Sequence, residues 1–176
     1  MSGSSPTVEV SGPLDPVRLS RLAEVQELLA QEAHLLDDRK YGRWLELFAD
    51  ECLYWMPVDP RSSDGTMRLN VFYDDRPRME ARVARLLSGS AFSEEPPSMT
   101  ARTFSAVLVT EEDGGEEEFA VRSNFMLVAH RAGEQRQLAG RMLHRLRRRD
   151  GRLCIAEKRV VLLGSDAPQR PLAFLF

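Results

Sequence analysis

The chain is poor in the residues from which metal centres, disulfides and polyanion-binding surfaces are built. It holds two cysteines and three histidines, and among its 24 basic residues only Lys40 and Lys158 are lysines. Cys52 and Cys154 are about a hundred residues apart, each among apolar neighbours. That is the setting of small core residues rather than of a disulfide. Neither has a histidine within a few positions, so the two-cysteine, two-histidine set of a Rieske cluster is missing. A mononuclear non-haem iron site needs two histidines and a carboxylate that converge. His34 falls on a predicted helix, and His130 and His144 flank a predicted hairpin around Gly133. With the turn centred there, His144 lies opposite Asn124, about six strand positions from His130, or roughly 20 Å. The two could not share a metal ion.

Other absences narrow the function further. The formal net charge is −3 and the pI about 5.7, so nothing draws the chain to a phosphate backbone. There is no phosphate loop, no dinucleotide fingerprint and no serine in a glycine-flanked elbow. The opening MSGSSPTVEVSGP has neither a basic start nor an apolar run, unlike a signal peptide. No stretch reaches the length of a membrane-spanning helix. The expectation is a cytoplasmic protein with no nucleic-acid or membrane partner.

What is present reads as one globular domain. Hydrophobic residues make up 43% of the 176 residues and charged ones 29%. Residues 1–13 are Ser, Gly and Pro rich and are expected to be flexible, with a single domain over 14–176. Asp15-Pro16 starts a helix: a capping carboxylate, then proline at the first helical position. Leu19, Leu22, Val25, Leu29, Ala33 and Leu36 form its apolar stripe. Asp37-Asp38 interrupt it, and a short helix with Tyr41, Trp44, Leu45 and Phe48 on one face follows. Cys52–Val58 reads as a strand and residues 59–69 as a polar loop. Asp74-Asp75 before Pro77 open a third helix with Met79, Val83, Leu86 and Leu87 inward. Glu94-Glu95-Pro96-Pro97 must be a loop. Strands then dominate: Thr103–Thr110, a turn at Asp113-Gly114-Gly115, a long strand over 119–128, another over Leu138–Arg149, a hairpin at Asp150-Gly151 and a return over Leu153–Leu163. Helices first and sequentially paired strands afterwards define the α+β class.

One set of side chains could carry acid–base chemistry. If the helices cover a curved sheet, Asp37, Asp38, Tyr41, Tyr54 and His144 could share a pocket, and an acid, a phenol and an imidazole suit a dehydratase or isomerase. Asp38, Tyr54 and His144 are the catalytic candidates on that reading. The competing reading makes Asp37 and Asp38 a helix end and the next helix's cap. His144 is then one polar residue of an arginine-rich strand that faces a partner.

The segment LLDDRKYGRWLELFADECLYWMP, Leu35–Pro57, resembles the opening of the beta subunits of aromatic-ring-hydroxylating dioxygenases. It shares their leucine pair (Leu35-Leu36), Asp37, Tyr41, Trp44 and the closing Tyr54-Trp55-Met56-Pro57. Further motifs follow in order: Asp74-Asp75-Arg76 with Arg82–Leu86, Glu94–Ser98, Val121–Phe125, Gly140-Arg141 and the apolar Pro171–Phe176. Met99, Ala106 and Leu143-His144 depart from the pattern, where the family commonly has arginine, asparagine and an acidic pair. The resemblance implies a cone-shaped, nuclear-transport-factor-2-like fold with a curved antiparallel or mixed sheet wrapped around N-terminal helices. It implies a structural small subunit with no catalytic residue, metal or cofactor of its own. The partners implied are an alpha subunit and other beta subunits, in a three-alpha three-beta assembly. The alpha subunit would carry the Rieske [2Fe–2S] cluster and the mononuclear iron, with electrons from NAD(P)H through a reductase. Interface residues implied are Glu95, Pro96, Pro97, Arg141, Phe174 and Phe176. Scytalone dehydratase and ketosteroid isomerase share the fold, so a stand-alone dehydratase or isomerase is the alternative. Where the dehydratase places its tyrosine and aspartate, however, this chain has Arg39 and Lys40.

Overall fold

The computed structural model describes residues 15–62, 65–66, 69–88, 96–110, 117–164 and 174–176. Residues 1–13, Glu94, Glu95, Pro171–Ala173 and the expected turn at Asp113-Gly114-Gly115 lie outside them. The elements run α1 (Pro16–Asp37), α2 (Tyr41–Leu45), β1 (Phe48–Pro57), β2 (Asn70–Asp75), α3 (Arg76–Leu87), β3 (Met99–Thr110), β4 (Glu118–Arg131), β5 (Glu134–Arg149) and β6 (Arg152–Leu162). The class is α+β, as expected.

Helices α1 and α3 start in the same way. Asp15 accepts a hydrogen bond from the Arg18 amide and Asp75 from the Arg78 amide, each just before a proline in the first turn. The α1 stripe buries Val25, Leu28, Leu29, Glu32, Ala33 and Leu36, while Leu19 in the first turn is exposed. Leu87, expected inward, is also exposed at the end of α3. Phe48 belongs to β1 rather than α2. Between the polar loop and α3 lies a strand, β2, that the sequence reading missed.

The six strands form one mixed sheet in the order β2-β1-β6-β5-β4-β3. β3 to β6 pair sequentially and antiparallel, as short connections require; β1 joins β6 in parallel. Both hairpins linking β4, β5 and β6 are two-residue turns. Asp150 and Gly151 have φ of 50° and 76°, and Ala132 and Gly133 have 49° and 83°. Two successive positive φ values define the turn type that matches strand twist. The Ala132-Gly133 turn corrects the expected register. Because Arg131 pairs with Glu134, His144 lies opposite Val121, and Asn124 opposite Arg141. His130 pairs with Gln135, so the two histidines stand further apart than expected.

Register shifts interrupt four of the pairings, at Met56/Pro57, Phe48/Leu53, Ser105/Leu108 and Arg145/Leu146. Such bulges bend a sheet, and the core fills the inner side. Trp44, Phe48, Tyr54 and Phe72 form an aromatic cluster there, with Trp44 edge-on to Phe48 at 4.8 Å and Tyr54 stacked on Phe72 at 4.3 Å. Phe125 lies opposite Gly140, where a Cβ would stand 2.2 Å from the Val161 carbonyl and 2.7 Å from the Phe125 ring. The cysteines are free and only half-buried, less deep than expected, with the Cys52 thiol 3.7 Å from the Met79 sulfur.

Candidate functional site

Strand alternation places Tyr54, Lys158, His144 and Val121 in one row across β1, β6, β5 and β4, each paired with the next. All four face inward and are buried. On β5 the even-numbered residues Leu138, Gly140, Met142, His144 and Leu146 point in, and the arginines Arg141, Arg145, Arg147 and Arg149 point out. His144 is therefore on the opposite face from the arginine-rich surface, which corrects the partner-facing reading.

Glu32 descends on this row from α1. Its Oε1 accepts hydrogen bonds from Lys158 Nζ at 2.7 Å and Trp44 Nε1 at 3.1 Å. Its Oε2 lies 3.3 Å from His144 Nε2, close enough for electrostatic contact but not aligned as a hydrogen bond. The last three residues close the group over. Lys158 Nζ donates to the Phe176 main-chain oxygen at 2.5 Å, and the Phe176 amide donates to the Tyr54 hydroxyl at 2.9 Å. Tyr54 Oη stands 3.4 Å from the same oxygen. The Phe176 ring packs edge-on against Phe125 at 5.8 Å and beside Phe174 at 5.5 Å. Glu32, Tyr54, Lys158 and Phe176 are each 0% exposed and His144 1%, so solvent does not reach them.

Burial sets the protonation states. For Glu32, burial favours the neutral acid, but Lys158 and His144 together outweigh it and bring the pKa from 4.5 down to about 2. For Lys158, burial dominates over the attraction of Glu32 and lowers the pKa from 10.5 to about 8. Burial pushes His144 below its ordinary value and so favours the neutral imidazole, although Glu32 beside it favours the charged form. It pushes the Tyr54 phenol up, with the Phe176 main chain partly opposing.

Of the predicted acid–base set, only Tyr54 and His144 converge. Asp38 is exposed at the end of α1, 2.9 Å from the Lys40 ammonium, which lowers its pKa. Neither Asp37 nor Asp38 caps α2: its N-cap is Lys40, with no side-chain cap bond. Asp37 instead accepts from Arg102 Nε at 2.8 Å, the Arg102 amide at 3.0 Å and the Thr100 hydroxyl at 2.8 Å. Arg102 also donates to the Leu175 carbonyl at 3.0 Å, so Asp37 holds the tail in place through it. Tyr41 is buried in the core rather than in a shared pocket with Asp38. Glu32 and Lys158 were missed, although both fall in phase with apolar residues: Glu32 in the α1 stripe, Lys158 two residues before Val160.

Pro96 and Pro97 are exposed ahead of β3, and Arg141 is exposed on the outer face of β5. Phe174 and Phe176 are buried inside this chain's own fold rather than displayed on its surface. Among the described residues, no three His, Cys, Asp or Glu side chains gather as a metal-ligand set. Also among them, no helix is long and apolar enough to cross a membrane.

Comparison with known proteins places this architecture. A family profile described as the ring hydroxylating beta subunit matches residues 31–167. The small oxygenase component of the p-cumate 2,3-dioxygenase system of Pseudomonas putida is 36% identical over 142 residues, covering 80% of this chain and 78% of that protein. The beta subunit of benzoate 1,2-dioxygenase from Burkholderia mallei has a TM-score of 0.69 at 21% identity, over 94% of this chain and 100% of that one. A candidate scytalone dehydratase from Novosphingobium aromaticivorans has a TM-score of 0.62 at 15% identity, over 82% of this chain and 85% of that one. The two structural likenesses are matters of fold alone; the profile and the sequence identity carry the family.

Proposed function

Because the chain belongs to the ring-hydroxylating beta subunit family, we propose that it is the structural small subunit of the terminal oxygenase component of an aromatic-ring-hydroxylating dioxygenase. Its role is to support a metal-bearing alpha subunit in aromatic compound catabolism. The observation that carries this reading is the sealing of the inner cluster. Tyr54, His144, Lys158 and Glu32 are acid–base groups gathered and buried on the inner face, and the chain's own Phe176 is hydrogen-bonded to Lys158 and Tyr54. A general acid or base must lie within hydrogen-bond reach of a substrate, and at Lys158 and Tyr54 that position is taken by the Phe176 main chain.

The donors among the described residues do not fit the cofactors of such a system. A Rieske cluster needs two cysteines and two histidines together, whereas Cys52 neighbours Met79 and His144 neighbours Glu32. The Rieske [2Fe–2S] cluster and the mononuclear iron are therefore assigned to the alpha subunit, with NAD(P)H supplying electrons through a reductase. No chemical step is routed through this chain. The assembly we propose is three alpha and three beta chains, with the Glu95-Pro96-Pro97 segment and the outward Arg141 at subunit contacts. Phe174 and Phe176 support those contacts indirectly, by holding the sheet's inner side.

The test is co-expression of the tagged chain with the large subunit of its own system, followed by size-exclusion chromatography with mass measurement. Co-elution in equal numbers is the expected result. A chain that elutes alone and by itself dehydrates or isomerises a substrate would overturn the reading.

A further inference from the structure

We propose that the inner face carries a binding site for an aromatic ring bearing an oxygen group two carbons away, and that Phe176 of the same chain is its resident occupant. The site goes beyond the assembly role and does not depend on it. Two halves define it. Phe125 and Phe174 hold the ring, at 5.8 Å and 5.5 Å between centroids. Lys158 Nζ and the Tyr54 hydroxyl meet the oxygen, at 2.5 Å and 3.4 Å. An ammonium and a phenol are the donors that recognise a carboxylate or carbonyl oxygen.

Two further observations mark this as a site rather than ordinary core. First, Phe174–Phe176 belong to no strand and take no part in the sheet's ladders. The main-chain oxygens of Leu175 and Phe176 are held by the Arg102, Lys158 and Tyr54 side chains, as a bound molecule's would be. Second, the surrounding face has hydrogen-bonding capacity that Phe176 does not use. His144 Nδ1 and Ser123 Oγ are buried with no hydrogen-bond partner among the described residues. Ser123 and Val121 both point inward on β4, and His144 lies opposite Val121. Buried polar atoms without a partner are rare in folded proteins and call for a cause. Here the cause is a polar wall that a ligand with an additional oxygen on its ring would complete.

The experiment uses the full chain shortened by Phe176 alone. The probe is 3-phenylpropanoate, which reproduces the two-carbon spacing from ring to oxygen. The shortened chain should melt lower than the intact one. At about ten times its dissociation constant, 3-phenylpropanoate should raise that melting temperature by about 3–6 °C. Butanoate, which lacks the ring, should give less than half of this shift, and the intact chain should not respond. Lys158→Met in the shortened chain should weaken 3-phenylpropanoate binding by about tenfold or more. No shift with 3-phenylpropanoate, or an equal shift with butanoate or in the intact chain, overturns the proposal. If the shortened chain does not fold, full-length Phe176→Ala keeps the main-chain oxygen and opens only the ring space. Toluene should then raise its melting temperature and 3-phenylpropanoate should not; an unresponsive variant is equally a refutation.

Discussion

Replacing Glu32 by glutamine is expected to cost about 3 kcal/mol at neutral pH, and much less in acid. Glutamine keeps an acceptor for Trp44 Nε1 but removes the charge opposite Lys158, 2.7 Å away. The magnitude follows from the carboxyl's shift from 4.5 to about 2 on folding, at about 1.4 kcal/mol per pKa unit. Breaking a buried ion pair by removing one partner usually costs about 3–5 kcal/mol, which agrees. The sign is set by the lowered pKa. The folded state favours the carboxylate, so the stabilisation is complete above pH 4.5 and disappears as the pH falls from there through about 2. Lys158 acts in the opposite sense. Its pKa falls from 10.5 to about 8, so its buried charge detracts from stability below pH 8, and the deficit is relieved as the pH rises from about 8 to 10.5. Urea unfolding of both proteins at pH 7 and pH 3 measures the effect. The difference between them should shrink by more than half at pH 3. A difference under about 1 kcal/mol at pH 7, or one that does not change with pH, refutes the assigned protonation states.

Other perturbations follow from single positions. Gly140→Ala forces a Cβ against the Val161 carbonyl, so it should lower stability by about 1–3 kcal/mol in urea titration. Ala106 has φ of 50° within the irregular Ser105–Leu108 stretch of β3. Glycine there should raise stability by about 1 kcal/mol in the same assay, because a left-handed backbone strains any residue with a Cβ. Asp15→Ala removes the cap bond to the Arg18 amide and should cost about 1 kcal/mol, read as a lower melting temperature. Asp38→Asn changes a group on the outside of the fold and should leave both melting temperature and turnover of the assembled oxygenase unchanged.

Local chemistry made much of the fold legible. The Asp-Pro start of α1, the capping Asp75 and the Asp150-Gly151 turn all act through neighbours in sequence, and each appears where expected. The long strands were readable because inner and outer residues alternate without interruption on β4 and β5. β2 was not, because Asn70–Asp75 is short and its inward Asp74 is tolerated only through Arg82, 2.5 Å away on α3. That partner cannot be seen in a local window. The inner cluster failed for the same reason. Glu32 on a helix and Lys158 on a strand each read as a solvated charge until the fold brings them together across 126 residues. Phase was the available signal, since both sit at positions otherwise held by apolar side chains. The same signal would have turned His144 inward, away from Arg141 and Arg145. The Ala106 departure has a physical reading: the asparagine that the family resemblance leads one to expect there tolerates the left-handed backbone better than alanine does.

The central claim is that this chain supports catalysis without taking part in it. Its most direct test is turnover per assembled oxygenase complex, with the small subunit carrying Tyr54→Phe and His144→Gln together and the amount of intact complex matched to wild type. The account predicts turnover within about threefold of wild type, because both side chains are enclosed in the small subunit's own fold. A loss of about a hundredfold or more at unchanged assembly and melting temperature is the size expected for removing a general acid or base, and it would contradict the account.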